Sequence, residues 1–228
     1  MDSVIDLPET QLSASEQSIA RSRVYFLLAT GFTFPTVELY AQYADGSYAE
    51  DLVSVLAASA PDLLKKYGAA ILDALATDAS FEDFEAAYLS AFETNMPTPS
   101  ASLYEGSYVH KNNRPALLLE IKGFYNNFDL VMDASVNDLE DTLTAELEFM
   151  QFLTAKQAQA EDNGSAASAA YQLAQRDFLQ RHLAAWLPSF NAAVAGQVRN
   201  RFFQILAQLV NDFVALDFHE AQRQIAGA

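Results

Sequence analysis

Three histidines, 30 aspartates and glutamates and 10 tyrosines are the side chains here that could move a proton, hold a metal or bind a charged partner. Their spacing excludes most chemistry. The residues three before His110, His182 and His219 are Ser107, Leu179 and Leu216, so no Glu-x-x-His pair of a di-iron bundle is present. His219-Glu220 lacks the second histidine of a zinc protease helix. Cysteine is absent, which removes disulfides, thiolate metal sites and cysteine nucleophiles. The closest pair of glycines, Gly31 and Gly46, stands 15 positions apart, so neither a dinucleotide loop nor a phosphate loop can form. No serine sits in a GxSxG elbow. Carboxylate-only metal chemistry keeps no specific signature.

What remains is acid beside aromatic. From residue 123 to 155 there are seven acids and no base. Phe124, Tyr125, Asp138, Asp141 and Glu146 of this stretch, with Tyr104, Glu105, Ser107 and Tyr108 upstream of it, are the candidate binding residues. Carboxylates raise the encounter rate with a basic partner and discriminate against acidic competitors. Aromatic faces add contact area and receive guanidinium groups. That chemistry suits a peptide carrying arginines and an apolar run, bound between helices. Asp138 and Asp141 have a second role open to them, capping a helix and offsetting its dipole.

The elements that must position these residues are helical. Alanine, leucine, glutamine and glutamate are plentiful and glycine is scarce. Ser13 and Glu16 form a capping-box pattern that opens a helix ending near Gly31. Further helices are expected at 36–43, 49–59, 61–76 and 81–92, with Pro61 in a first turn and Phe81, Phe84, Tyr88 and Phe92 along one face. Pro97 and Pro99 break the pattern. Helices resume at 115–128, at 138–159 with Leu139, Leu143, Leu147 and Met150 as its stripe, and at 168–187, ended by Pro188. The last runs over 190–216. The expectation is an all-α globular bundle of about 8–11 helices. It divides into a tail over 1–12, an N-terminal portion over 13–96, a hinge loop over 97–114 and a C-terminal portion over 115–228. His182 and Trp186 read as core residues.

The formal charge is −17. Such a surface repels nucleic acid and anionic lipid. The N-terminal residues are acidic and lack the apolar core of a secretory signal, and no run reaches the ~18 apolar residues of a membrane span. The expectation is a cytoplasmic protein without membrane insertion.

Four ordered blocks resemble the TorD/DmsD/NarJ family, the assembly chaperones of molybdenum enzymes. The first is the aromatic-aliphatic run over 24–29 followed by Phe32-Thr33-Phe34-Pro35. The second joins Pro97 and Pro99 to Tyr104, Glu105, Ser107 and Tyr108, then Glu120-Ile121-Lys122-Gly123-Phe124-Tyr125. Gly106 interrupts this match, and Asp129 stands where the family often has glycine. The third is Asp141-Thr142-Leu143 before Glu146-Leu147-Glu148-Phe149-Met150, with Thr142 in place of the family's histidine. The fourth is His182-Leu183 with Trp186, Pro188 and Phe190.

The resemblance implies a chaperone rather than an enzyme, with no cofactor of its own. It would bind the apo catalytic subunit of a molybdoenzyme, or its basic twin-arginine leader, during insertion of the bis-molybdopterin guanine dinucleotide. Proteins of molybdenum cofactor biosynthesis are further expected partners. A monomer is expected, with helix exchange into a dimer open at the breaks near 97–100 and 159–168. The alternative is a helical adaptor that stays in the finished redox complex.

Overall fold

The computed structural model describes residues 12–94, 99–109, 112–132 and 138–226. Among these, ten α-helices and one short 3-10 turn follow one another without a strand. They are α1 (Ala14–Phe32), α2 (Val37–Ala44), α3 (Ser47–Ser59), α4 (Pro61–Ala74) and α5 (Phe81–Phe92), then the 3-10 turn Glu105–Ser107. After it come α6 (Arg114–Asn126), α7 (Leu143–Asp162), α8 (Ser168–Arg181), α9 (Leu183–Gln197) and α10 (Arg201–Ala226). The all-α expectation is borne out. Residues 1–11, 95–98, 110–111, 133–137 and 227–228 lie outside the described residues, and with them most of the expected tail, Pro97 and His110.

Local rules account for many boundaries. Ser13 and Glu16 make the full capping box that opens α1. Thr36 and Ser80 cap α2 and α5, and Pro61 opens α4. Gly31 does not stop α1, which runs on to Phe32. It serves a close approach: a Cβ there would lie 2.4 Å from the Tyr48 hydroxyl and 2.5 Å from Leu206 Cδ2. Small residues along α1 let it lie against α7, where Ser22 Oγ donates to the Gln151 carbonyl at 3.0 Å. Val24, Tyr25, Leu28 and Phe32 are fully buried, and one continuous core draws side chains from both ends of the chain. Phe84, Phe202 and Phe203 interlock with Tyr43, Tyr88 and Phe92 through edge and tilted contacts of 4.8–5.9 Å.

Three boundaries differ from the expectation, each for a tertiary reason. The helix expected from 138 begins at Leu143, capped by Thr142. Residues 138–142 form a turn instead, so Leu139 is exposed while Leu143, Leu147 and Met150 are core. The helix expected over 168–187 breaks at His182 (φ −121, ψ −100), whose ring is drawn to Glu105. A new helix, α9, then passes straight through Pro188, and the turn falls at 198–200. Proline removes a donor but does not end a helix whose flanking Trp186, Leu187 and Phe190 are all buried. Asp129, at the glycine-like position after α6, has φ 57, and Leu130 N donates back to the Tyr125 carbonyl at 3.1 Å. This is the left-handed helix ending that aspartate tolerates better than most side chains.

Candidate functional site

A short segment over 101–108 is clipped to the turn before α7. Leu143 N donates to the Leu103 carbonyl (2.8 Å) and Glu105 N to the Asp141 carbonyl (2.9 Å), leaving Tyr104 opposite Thr142 in an antiparallel bridge. The 3-10 turn then sends alternate side chains to opposite sides. Glu105 points inward and is fully buried, whereas Ser107 is exposed and Tyr104 and Tyr108 are half-buried.

Asp141 lies under the turn with no exposure. Its carboxylate accepts from Gly106 N (3.1 Å) and, in a two-pronged pair, from Arg114 Nε (3.1 Å) and a terminal guanidinium nitrogen (2.9 Å). The same guanidinium sits 4.9 Å from the Tyr104 ring centre. Tyr104 donates its hydroxyl to Asp138 at 2.9 Å. Partial burial and that carboxylate push the Tyr104 phenol up to about 12. The glycine that interrupts the family pattern has a steric reason. A Cβ at Gly106 would come within 2.9 Å of Asp141 Oδ2 and 3.1 Å of Arg114 Nε. Gly106→Ala is therefore expected to cost about 1–3 kcal/mol through overpacking, read as a lower denaturation midpoint at unchanged slope.

Deeper in, Glu105 and Glu146 meet the α8–α9 break. His182 Nδ1 donates to Glu105 Oε2 at 2.9 Å, and Trp186 Nε1 donates to Glu146 Oε2 at 3.0 Å. Burial, and after it the Glu105 charge, hold the Glu146 carboxyl well above the usual carboxylate range, against the opposing effect of the indole N–H. Tyr108 stacks on Trp186 (centroids 5.4 Å apart, planes at 21°) and donates to the Ser102 carbonyl. Phe124 stands edge-on to His182 at 5.5 Å, with the Arg181 guanidinium 5.8 Å from its ring centre. Tyr125 is buried and donates to the Glu140 carbonyl.

The structure thus draws all nine candidate residues into one network but on two levels. Tyr104, Ser107, Tyr108, Phe124 and Asp138 keep solvent access, while Glu105, Tyr125, Asp141 and Glu146 are interior. The capping reading of the aspartates is corrected: Thr142 caps α7, accepting from Ala145 N at 3.2 Å. Asp138 accepts from Tyr104 and from Leu139 N, and Asp141 holds Arg114. Thr142, in place of a histidine, caps a helix, and the histidine of the site comes from position 182.

Sequence reasoning missed Arg114 as the partner of Asp141 and a second interior network. There Arg21 pairs with Asp217 at 2.6 Å and also donates to Gln175, while the buried Tyr25 hydroxyl donates to Asp217. An acid four residues past Phe213 on an apolar helix face was the available signal. Arg21 and Asp217 also line a groove of about 1030 Å³ between α1, α3 and α10, where Ala57, Pro61 and Leu216 supply apolar wall. None of the nine candidates lines it. Among the described residues, no single helix is long and apolar enough to cross a membrane.

This all-α chain matches a known family. The profile of the nitrate reductase delta subunit family covers residues 57–192, and the chain belongs to that family. It is 53% identical over 212 residues to a perchlorate reductase assembly chaperone protein of Dechloromonas aromatica, spanning 93% of this chain and 94% of the relative. A chlorate reductase assembly chaperone protein of Ideonella dechloratans is 41% identical over 48% of this chain and 56% of its own length. A selenate reductase assembly chaperone protein of Thauera selenatis is 40% identical over the same shares. In fold, the chain is similar to the solved structure of a redox enzyme maturation protein from Archaeoglobus fulgidus, with a TM-score of 0.52 at 12% identity over 86% of this chain and 93% of that one.

Proposed function

We propose that this protein is a cytoplasmic assembly chaperone for a molybdenum-dependent oxyanion reductase and catalyses no chemical step. The observation that carries the proposal is the 53% identity, over nearly the whole of both chains, to a perchlorate reductase assembly chaperone. In this reading it binds the apo catalytic subunit and its basic twin-arginine leader while the bis-molybdopterin guanine dinucleotide is inserted. Proteins that supply that cofactor are then transient partners. Contact falls to the accessible members of the network, Tyr104, Ser107, Tyr108, Phe124 and Asp138. Glu105, Tyr125, Asp141 and Glu146 hold them in place from beneath. A net charge of −17 favours encounter with a basic leader.

Co-purification with the apo catalytic subunit, with and without its leader, tests the reading. Tight binding to the cofactor-free, leader-bearing form is expected, and equal affinity for the loaded, leaderless enzyme would sink it. The description of the family as a delta subunit favours a second reading, a helical adaptor retained in the finished complex. That reading predicts the equal affinity. Asp138→Lys tests the surface at the cost of the acceptor for the Tyr104 hydroxyl and Leu139 N. Leader affinity is expected to fall about three- to tenfold and to lose part of its salt dependence, with the melting temperature lowered by only a few degrees.

A further inference from the structure

The site contains three fully buried carboxyl side chains but supplies strong donors for only two. Asp141 has Arg114, and Glu105 Oε2 has His182, while Glu146 Oε2 receives only the neutral indole N–H of Trp186. The other oxygens, Glu105 Oε1 and Glu146 Oε1, are buried and have no hydrogen-bond partner among the described atoms. The two carboxyls lie near enough for the Glu105 charge to bear on Glu146, holding its carboxyl above the ordinary range after the effect of burial itself. Two buried anions at close quarters repel strongly, whereas one proton shared between them gives each lone oxygen a partner.

Among the described residues, no other nearby group supplies the missing donor. On α6, Glu120 is paired with Arg181 at 2.6 Å and also lies 3.5 Å from His182 Nε2. Lys122 pairs with Glu140. Tyr125 on α6 and Glu148 on α7 add only a neutral phenol and a further acid.

We propose that Glu105 and Glu146 hold one proton between them, and that this proton fastens the 101–108 segment to α7. Losing it to solvent in alkaline solution leaves two buried anions at the contact and frees the segment that carries Tyr104, Ser107 and Tyr108. The proton sharing stands apart from the chaperone reading; only its consequence for a bound partner depends on that reading. The direction with pH follows from linkage. A carboxyl held above its ordinary 4.5 in the folded state contributes stability that is fully present below that value. The contribution is lost as pH rises through the folded-state value.

Trp186 is the only tryptophan in the chain, and it touches both Glu146 and Tyr108, so its emission reports on the contact. In the full-length protein at pH 7, infrared difference spectra between wild type and Glu146→Gln are expected to contain the carbonyl stretch of a protonated carboxylic acid. On raising the pH that band should vanish together with a shift in Trp186 emission, and protease cleavage within 101–108 should rise. Glutamine can still donate to Glu105 and accept from Trp186, so Glu146→Gln should show neither change. Glu105→Gln removes the neighbouring charge and should move the emission transition to lower pH, which keeps a test available if the first variant folds poorly. A wild type without the acid band overturns the proposal. So does an emission transition that survives in Glu146→Gln or stays in place in Glu105→Gln.

Discussion

Asp141→Ala is expected to lower the melting temperature by roughly 5–15 °C and to weaken leader binding in the same protein. The substitution removes three hydrogen bonds at once, those from Gly106 N, Arg114 Nε and the Arg114 terminal nitrogen. An orphaned buried N–H costs about 1–3 kcal/mol. The freed guanidinium costs less than in a sealed pair, because Arg114 stays 37% exposed and can turn to water. A total of about 2–4 kcal/mol follows, and each kcal/mol shifts the midpoint by about 2–4 °C in a domain of this size. Asp141→Asn keeps an acceptor for Gly106 and should fall between. Circular-dichroism melts of the three proteins decide the matter: an alanine variant melting within a degree of wild type would show that the turn does not hang on this carboxylate. Binding should fall too, because the Arg114 guanidinium that covers Tyr104 loses its anchor.

Asp217→Ala should have the larger effect on stability, about 3–5 kcal/mol or roughly 6–20 °C. Its carboxylate is the shared acceptor of Arg21 and Tyr25, and the pair is nearly sealed, at 15% and 3% exposure. Removing the acid leaves a guanidinium in the interior with only the Gln175 carbonyl oxygen, which in turn is bonded through its amide to Gln157. Arg21→Met combined with Asp217→Leu and Tyr25→Phe removes the buried charge and the phenol, leaves only the Gln175 amide oxygen without its donor, and should recover most of the loss. A single alanine variant as stable as wild type, or a triple variant no better than the single, would contradict this account.

The architecture was readable because helix signals are local. Ser13 and Glu16, Pro61, and the run Phe84, Tyr88 and Phe92 each act within one or two turns, and each landed where expected. The acidic window over 123–155 misled about exposure for an equally physical reason. Its acids are met by residues far away in the chain. Asp141 meets Arg114 across 27 positions and Glu146 meets Trp186 across 40. No periodicity in the window itself separates an acid that faces water from one that faces a distant indole. Pro188 failed as a stop signal for the same reason, since burial on both sides of it outweighed one missing donor.

The position of α1 has a temporal consequence. Its apolar faces are covered by α7, α3 and α10, and Arg21 finds Asp217 only 196 residues later. At a synthesis rate of about 5–20 residues per second, that interval lasts on the order of 10–40 s. Over that interval the first helix can meet α3 and then α7, but Arg21 has no partner acid and the face that α10 covers stays bare. A protein whose relatives are named assembly chaperones must itself spend tens of seconds unassembled, closing this contact only when α10 leaves the ribosome.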